Sequence, residues 1–157
     1  FRTCRSTGEA PIADEQPLLE LIASSRHGVL AAVTRAGYPH LTNVLYAWDA
    51  EERVARISTT ADRVKARALH RDPRAALHVS GPHFWSYAVA ECDAESSEVA
   101  ATPGDAACLE LLAMRSDVRG EDEEEAFFAQ MIDARRLVLR LRVRRLYGLV
   151  LDHPPGG

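Results

Sequence analysis

Lysine is almost missing from this chain: of its 19 lysine and arginine residues, only Lys65 is a lysine. Long apolar runs are missing too. The stretch "GVLAAV", Gly28 to Val33, is among the longest, against the ~18 residues that a membrane span needs, so no membrane partner is expected. Cysteine is scarce, and Cys4, Cys92 and Cys108 lie far apart without a CxxC spacing. They support neither a disulfide framework nor a thiolate zinc site and read as buried or incidental thiols. The six histidines show no HExxH spacing, so no metal site is expected. A basic excess is absent as well; the net charge of -4 argues against a general affinity for nucleic acid. The start has no apolar core of signal-peptide length, and a cytoplasmic location is the expectation.

What is present suits one globular domain: 157 residues, 46% of them hydrophobic and 27% charged. No repeat or linker divides it, so residues 1–13 are taken as a loose arm, 14–152 as the domain and 153–157 as a tail. Leu18, Leu19 and Ile22 have helical spacing behind Asp14 as N-cap and Pro17 in the first turn. Gly28 to Arg35 reads as a central strand with two apolar faces. The turn "RAGYP" leads to a second strand, "HLTNVLYAW", and "RVARISTT" is a third. The helix "DRVKARALHRD" follows and Pro73 stops it. "AALHVS" and "FWSYAVAECDAE" are further strands, and "TPGDAACLELLAMRSD" and "DEEEAFFAQMIDA" are helices. In the last strand Leu137, Leu139, Leu141 and Val143 alternate with Arg136, Val138, Arg140, Arg142 and Arg144. Six strands joined mainly by hairpins predict an α+β chain, mainly β: an antiparallel sheet closed into a small barrel with peripheral helices.

The segment "ISTTADRVKARALHRDPR" carries the chemistry. Thr59 or Thr60 is placed to cap the helix, with Asp62 returning a carboxylate to its first amides. A strand running into a helix start presents unpaired amides to an anion, and Ser58, Thr59 and Thr60 add three hydroxyls. Arg63 and Arg67 share one helix face. Lys65 falls on another, near Ala61, Leu69 and the apolar line through Val64 and Ala68, where a thin stem with a point charge suits phosphate. The plainer alternative is an amphipathic helix with solvated cations. The arginines at 136, 140, 142 and 144 read as the wet face of an amphipathic strand, paired with Glu121 to Glu125 or a partner subunit; attraction of an anion is the other possibility. His78 reads as a core or edge histidine, and Glu91 and Asp93 as polar strand positions.

"HGVLAAVTRAGYPHLTNVLYAWD", "RISTTADRVKARALHRDPRAALHVSG" and "RRLYG" together resemble the flavin- or deazaflavin-binding split β-barrel family. That family includes the pyridoxamine-phosphate-oxidase-like proteins and the deazaflavin-dependent reductases of actinobacteria. The resemblance runs from about Leu18 to Val150. It implies a six-stranded split barrel and a homodimer with cofactor sites at its interface. It also implies that Ser58, Thr59, Thr60, Arg63 and Lys65 hold a cofactor phosphate while Asn43, Val44 and Leu45 lie along the ring system. Trp85 would contribute from the second subunit. Where the family has proline, this chain has Asn43. The implied activity is hydride transfer between reduced coenzyme F420 and a small conjugated substrate, and Arg63, Arg67 and Arg71 would suit the polyanionic F420 tail. An FMN-dependent oxidoreductase is the alternative, followed by a non-catalytic flavin, F420 or haem binding protein and by a purely structural dimerising domain. The arginine- and alanine-heavy composition matches a GC-rich actinobacterial source.

Overall fold

The computed structural model describes residues 14–154, so the proposed arm and Cys4 lie outside the described residues. The element order is α1 (Gln16–Ser24), β1 (His27–Val33), β2 (Pro39–Leu45), β3 (Ala47–Asp49), β4 (Val54–Thr60), α2 (Val64–Arg71), β5 (Arg74–Ser80), β6 (Tyr87–Ser96), α3 (Ala106–Ala113), α4 (Glu121–Asp133) and β7 (Arg136–Leu149). One sheet holds seven strands in the order β2-β1-β5-β6-β7-β4-β3, with every pairing antiparallel.

Seven strands replace the six expected because the second breaks at Tyr46. Its side chain is 3% exposed, its hydroxyl donates to the Ile22 carbonyl at 2.6 Å, and its amide donates to the Arg26 carbonyl at 3.0 Å. Burial pushes the phenol up to about 12, so it stays a neutral donor. Held there, the chain leaves β1 and continues as β3 on β4. The two outer strands of the sheet are therefore one continuous piece of chain, and the sheet curls into a half-barrel.

The barrel interior gathers Leu30, Val44, Ile57, Leu77, Val79, Leu139 and Leu141, with Ile22 of α1 and Ala68 and Leu69 of α2 closing its ends. Gly148 lets β6 and β7 approach: at φ +148 a Cβ would lie 2.2 Å from the Tyr87 carbonyl oxygen. Cys92 is buried in the same core, and burial pushes its thiol up to about 12. A second cluster joins Leu111 of α3, Phe127 and Met131 of α4, and Val138 of β7. The α3–α4 hairpin thus covers the strand face read as wet. Arg140 is half-buried against Glu110 of α3, with Nη2–Oε2 2.6 Å, and reaches Glu95 at 3.3 Å, while Arg144 pairs with Asp93. Two rungs of the ladder, Arg140 and Arg144, are thus paired with these carboxylates rather than with residues 121–125, while Arg136 and Arg142 have no ion-pair partner among the described residues.

Local expectations are corrected at two helix starts. The N-cap of α2 is Arg63, without a side-chain cap; Thr60 instead donates its hydroxyl to Asp62. Val64 points outward at 44% exposure, away from the apolar line. At α1 the cap position is Glu15, while Asp14 accepts the Gln16 amide at 3.1 Å.

Helix α3 is the best-capped. The Asp105 carboxylate accepts the amides of Thr102 (3.0 Å), Ala101 (2.9 Å) and Cys108 (2.8 Å), which together hold its carboxyl well below the usual range. Asp105→Ala is expected to cost about 1 kcal/mol in urea denaturation at neutral pH. Because the folded-state pKa is depressed, this contribution is complete above the ordinary carboxylate range near pH ~4 and fades as the pH falls below it. The deficit of the variant should shrink on acidification.

Candidate functional site

Strand β3 pairs with β4 from Asp49↔Val54 to Ala47↔Arg56, and beyond Tyr46 strand β2 diverges from β4. Both strands keep an unpaired edge in the resulting wedge. The bonds Tyr46 N–H to Arg26 and Thr34 N–H to Tyr38 set the alternation along β1 and β2. Residues 28/44 and 30/42 therefore exchange hydrogen bonds, and Asn43 and Leu45 turn their backbone groups to the free edge. On β4 the bonds Ala61 N–H to Arg135 and Val143 N–H to Arg53 set the phase with β7. The backbone of Ser58 consequently faces away from β7 and into the wedge.

A cavity of about 620 Å³ fills this wedge. Asn43, Val44, Leu45, Tyr46 and Ala47 form one side, and Ile57, Ser58, Lys65 and Arg136 another. The hairpin supplies the third wall through Leu111, Met114, Phe127 and Met131. Five of the nine residues predicted from sequence therefore meet here: Asn43, Val44, Leu45, Ser58 and Lys65. Thr59 instead points into the interior at 3% exposure, Thr60 is engaged with Asp62, and Arg63 stands on the exposed surface of the helix start. Trp85 is 55% exposed on the β5–β6 loop, packed edge-on against Phe84 with ring centroids 5.1 Å apart.

Arg136 is the functional candidate that the sequence reading placed elsewhere, in the arginine ladder. Its Nη1 donates to Ser58 Oγ at 3.2 Å, while its buried Nε has no hydrogen-bond partner. Lys65 lies beside it. Burial, then the charges of Arg63 and Arg136, hold the ammonium below its ordinary pKa. Two mutually repelling, partly desolvated cations with an orphaned donor form a corner that an anion would relieve. Among the described residues neither cation has an ion-pair partner. Four cations line the cavity (Arg26, Lys65, Arg115 and Arg136) against the single carboxylate of Asp117, in a chain whose net charge is -4.

Both Arg67 and Arg71 of α2 are exposed, and Arg71 donates to the Val33 carbonyl at 3.3 Å. A second cavity, of about 680 Å³, adjoins the first across Ala47 and Met114. Its wall is the network of Arg56 and Arg140 around Glu110, which fastens α3 to β4 and β7. Arg140, then Arg56, hold the Glu110 carboxyl below its ordinary range against the effect of burial. Among the described residues no group of three metal-ligating side chains occurs, and no helix is long and apolar enough to cross a membrane.

Comparison with known proteins agrees with this architecture. A family model described as pyridoxamine 5'-phosphate oxidase matches residues 15–149. A conserved hypothetical protein from Mycobacterium tuberculosis is 25% identical, with a TM-score of 0.66 over 93% of each chain. An F420 reductase shares the fold at 21% identity and a TM-score of 0.57, covering 88% of this chain and 98% of that one. A heme binding protein from Mycobacterium smegmatis shares it at 24% identity and a TM-score of 0.59, over 88% of this chain and 54% of that one.

Proposed function

Because the chain belongs to the pyridoxamine 5'-phosphate oxidase family, we propose that it is a split-barrel oxidoreductase using coenzyme F420 to pass hydride to a small conjugated substrate. The observation that carries this reading is the single cavity that joins a phosphate-sized cationic corner to an unpaired strand edge. Ser58, Lys65 and Arg136 would hold the phosphate, with the orphaned Arg136 Nε supplying a donor. The free N–H and C=O groups of Asn43 and Leu45 would meet the polar edge of the ring, and Val44, Met114 and Phe127 its apolar surface. When bound, a deazaflavin or flavin supplies the redox chemistry, and the chain's task is binding, orientation and exclusion of water.

FMN is the second reading. It is favoured by the compactness of the corner: beyond Lys65 and Arg136 the nearby cations Arg63, Arg67 and Arg71 are exposed, and Arg71 is partly engaged at the Val33 carbonyl. Titrating F420 by fluorescence anisotropy and FMN by absorbance separates the two cofactors. A haem-binding role has less support: among the described residues lining the cavity no histidine or cysteine occurs, the Tyr46 hydroxyl is held by Ile22, and Met114 and Met131 are the remaining side chains of a haem-ligating type.

The site is further proposed to belong to a cytoplasmic homodimer. Opposed residues of antiparallel strands share a face, which lines up Asn43, Val29, His78, Val89 and Tyr147 across the outer surface of the sheet. Leu41, Leu45 and Leu149 flank this row at 64%, 61% and 46% exposure, an apolar patch that a second copy would cover. Trp85 would then reach the partner's cavity. Sedimentation equilibrium at micromolar concentration should give a dimer, which Leu41→Glu weakens; a strict monomer removes the interface.

A further inference from the structure

The four cations around the cavity form two groups on different segments. Arg136 at the start of β7 donates to Ser58 of β4, and Lys65 in the first turn of α2 lines the cavity beside them. Arg26 lies in the α1–β1 connection and Arg115 in the turn after α3. Arg115 pairs with Asp117, whose carboxyl is lowered to about 2, first by that pairing and least by the charge of Arg26, which lines the same cavity without pairing with Asp117.

Arg115, 46% exposed at the cavity mouth, forms a two-point pair with the 64% exposed Asp117. Its Nε donates to Asp117 Oδ1 at 2.7 Å and its Nη2 to Oδ2, while its guanidinium carbon lies 5.7 Å from the Phe127 ring centroid. That pairing uses one edge of the guanidinium and leaves the Nη1 donors for a ligand. Arg26 has no ion-pair partner among the described residues, so the group keeps a positive charge after Asp117 is counted. The α3–α4 side of the cavity is mostly apolar, with Leu111, Met114, Phe127 and Met131 beside Ser116 and Gln130, and among the described residues no further carboxylate lines it.

We propose that Arg26 and Arg115 form a second anion site in the cavity, which receives the carboxylate of a small planar organic substrate. A planar fork beside an aromatic face suits a carboxylate on a conjugated body, whereas the corner at Lys65 offers a point charge suited to phosphate. The assignment of the carboxylate to substrate rests on the cofactor phosphate occupying the Lys65 corner. Asp117 is the positioning residue for Arg115, and its partial cancellation of charge keeps the site open to exchange.

The test is calorimetric titration of the protein with benzoate and with benzamide, which share a ring and differ in charge, run without added cofactor and again with F420. Benzoate should bind about tenfold tighter than benzamide, as expected for one charge-assisted pair. With F420 occupying the Lys65 corner, Arg115→Gln should abolish most of that preference and Arg26→Gln part of it, with Arg115→Lys intermediate, whereas Arg74→Gln, outside the cavity, should retain it. Equal binding of the two probes to the unmodified protein overturns the proposal. So does a preference lost in Lys65→Ala yet intact in Arg115→Gln. Benzoate preference in a protein that fails to bind F420 supports the second anion site while removing the cofactor assignment.

Discussion

Lys65→Ala is expected to weaken F420 binding by about 1.5–3 kcal/mol, the worth of a hydrogen bond to a charged group, or about ten- to a hundredfold in Kd. The structure strengthens the physical case. An exposed lysine contributes little, because water screens it and its loose stem must be ordered. Lys65 is half-buried at the cavity edge, already disfavoured by burial and by Arg63 and Arg136, so an incoming phosphate relieves a cost that exists in the free protein. Arg136→Gln should produce a loss of similar size. The double variant should lose less than the sum, because removing either cation also removes repulsion on the other. Thermal unfolding of the cofactor-free variants separates binding from folding: Lys65→Ala should be no less stable than the parent. Undiminished affinity in Lys65→Ala would make the residue a surface charge.

Leu139→Ala carries the largest expected loss of stability, about 2–5 kcal/mol. Leu139 is completely buried on β7, opposite Ile57 on one side and Ser96 on the other. Such a loss is a large share of the stability of about 5–15 kcal/mol typical of a domain. Urea denaturation should show the midpoint falling with an unchanged slope. Leu149→Ala, on the same strand but 46% exposed on the outer face, should leave monomer stability almost untouched and weaken only the proposed dimer. A comparable loss at both positions would mean that the two strand faces have been misjudged.

The alternation of Leu137, Leu139 and Leu141 made β7 legible without coordinates, because a period of two survives any tertiary context. The break at Tyr46 was not legible. It depends on a hydroxyl reaching a carbonyl 24 residues earlier, and "HLTNVLYAW" is uniformly strand-forming. The same limit governs the site. Ser58 and Lys65 stood out by composition and local geometry, and family resemblance indicated Asn43 to Leu45. Arg136 is grouped with Arg140, Arg142 and Arg144 as a rung of a solvated ladder, with anion attraction the lesser alternative, because its neighbours conceal what sets it apart. Val138, buried between Arg136 and Arg140, was the available signal that something covers that face. The covering hairpin could have been inferred from the apolar faces of α3 and α4, but not its role as the third cavity wall. Arg115 owes its position to a turn, whose course no periodicity encodes.

The wedge between β2 and β4 is proposed as a phosphate-anchored redox-cofactor site, with F420 as its cofactor. Fluorescence anisotropy of F420 titrated with the unmodified protein tests this most directly. A saturable rise, strongly reduced in Lys65→Ala and in Arg136→Gln, is the predicted result. Unchanged anisotropy with protein in large excess contradicts the F420 assignment, and the same outcome for FMN absorbance would leave the cavity without the role proposed for it.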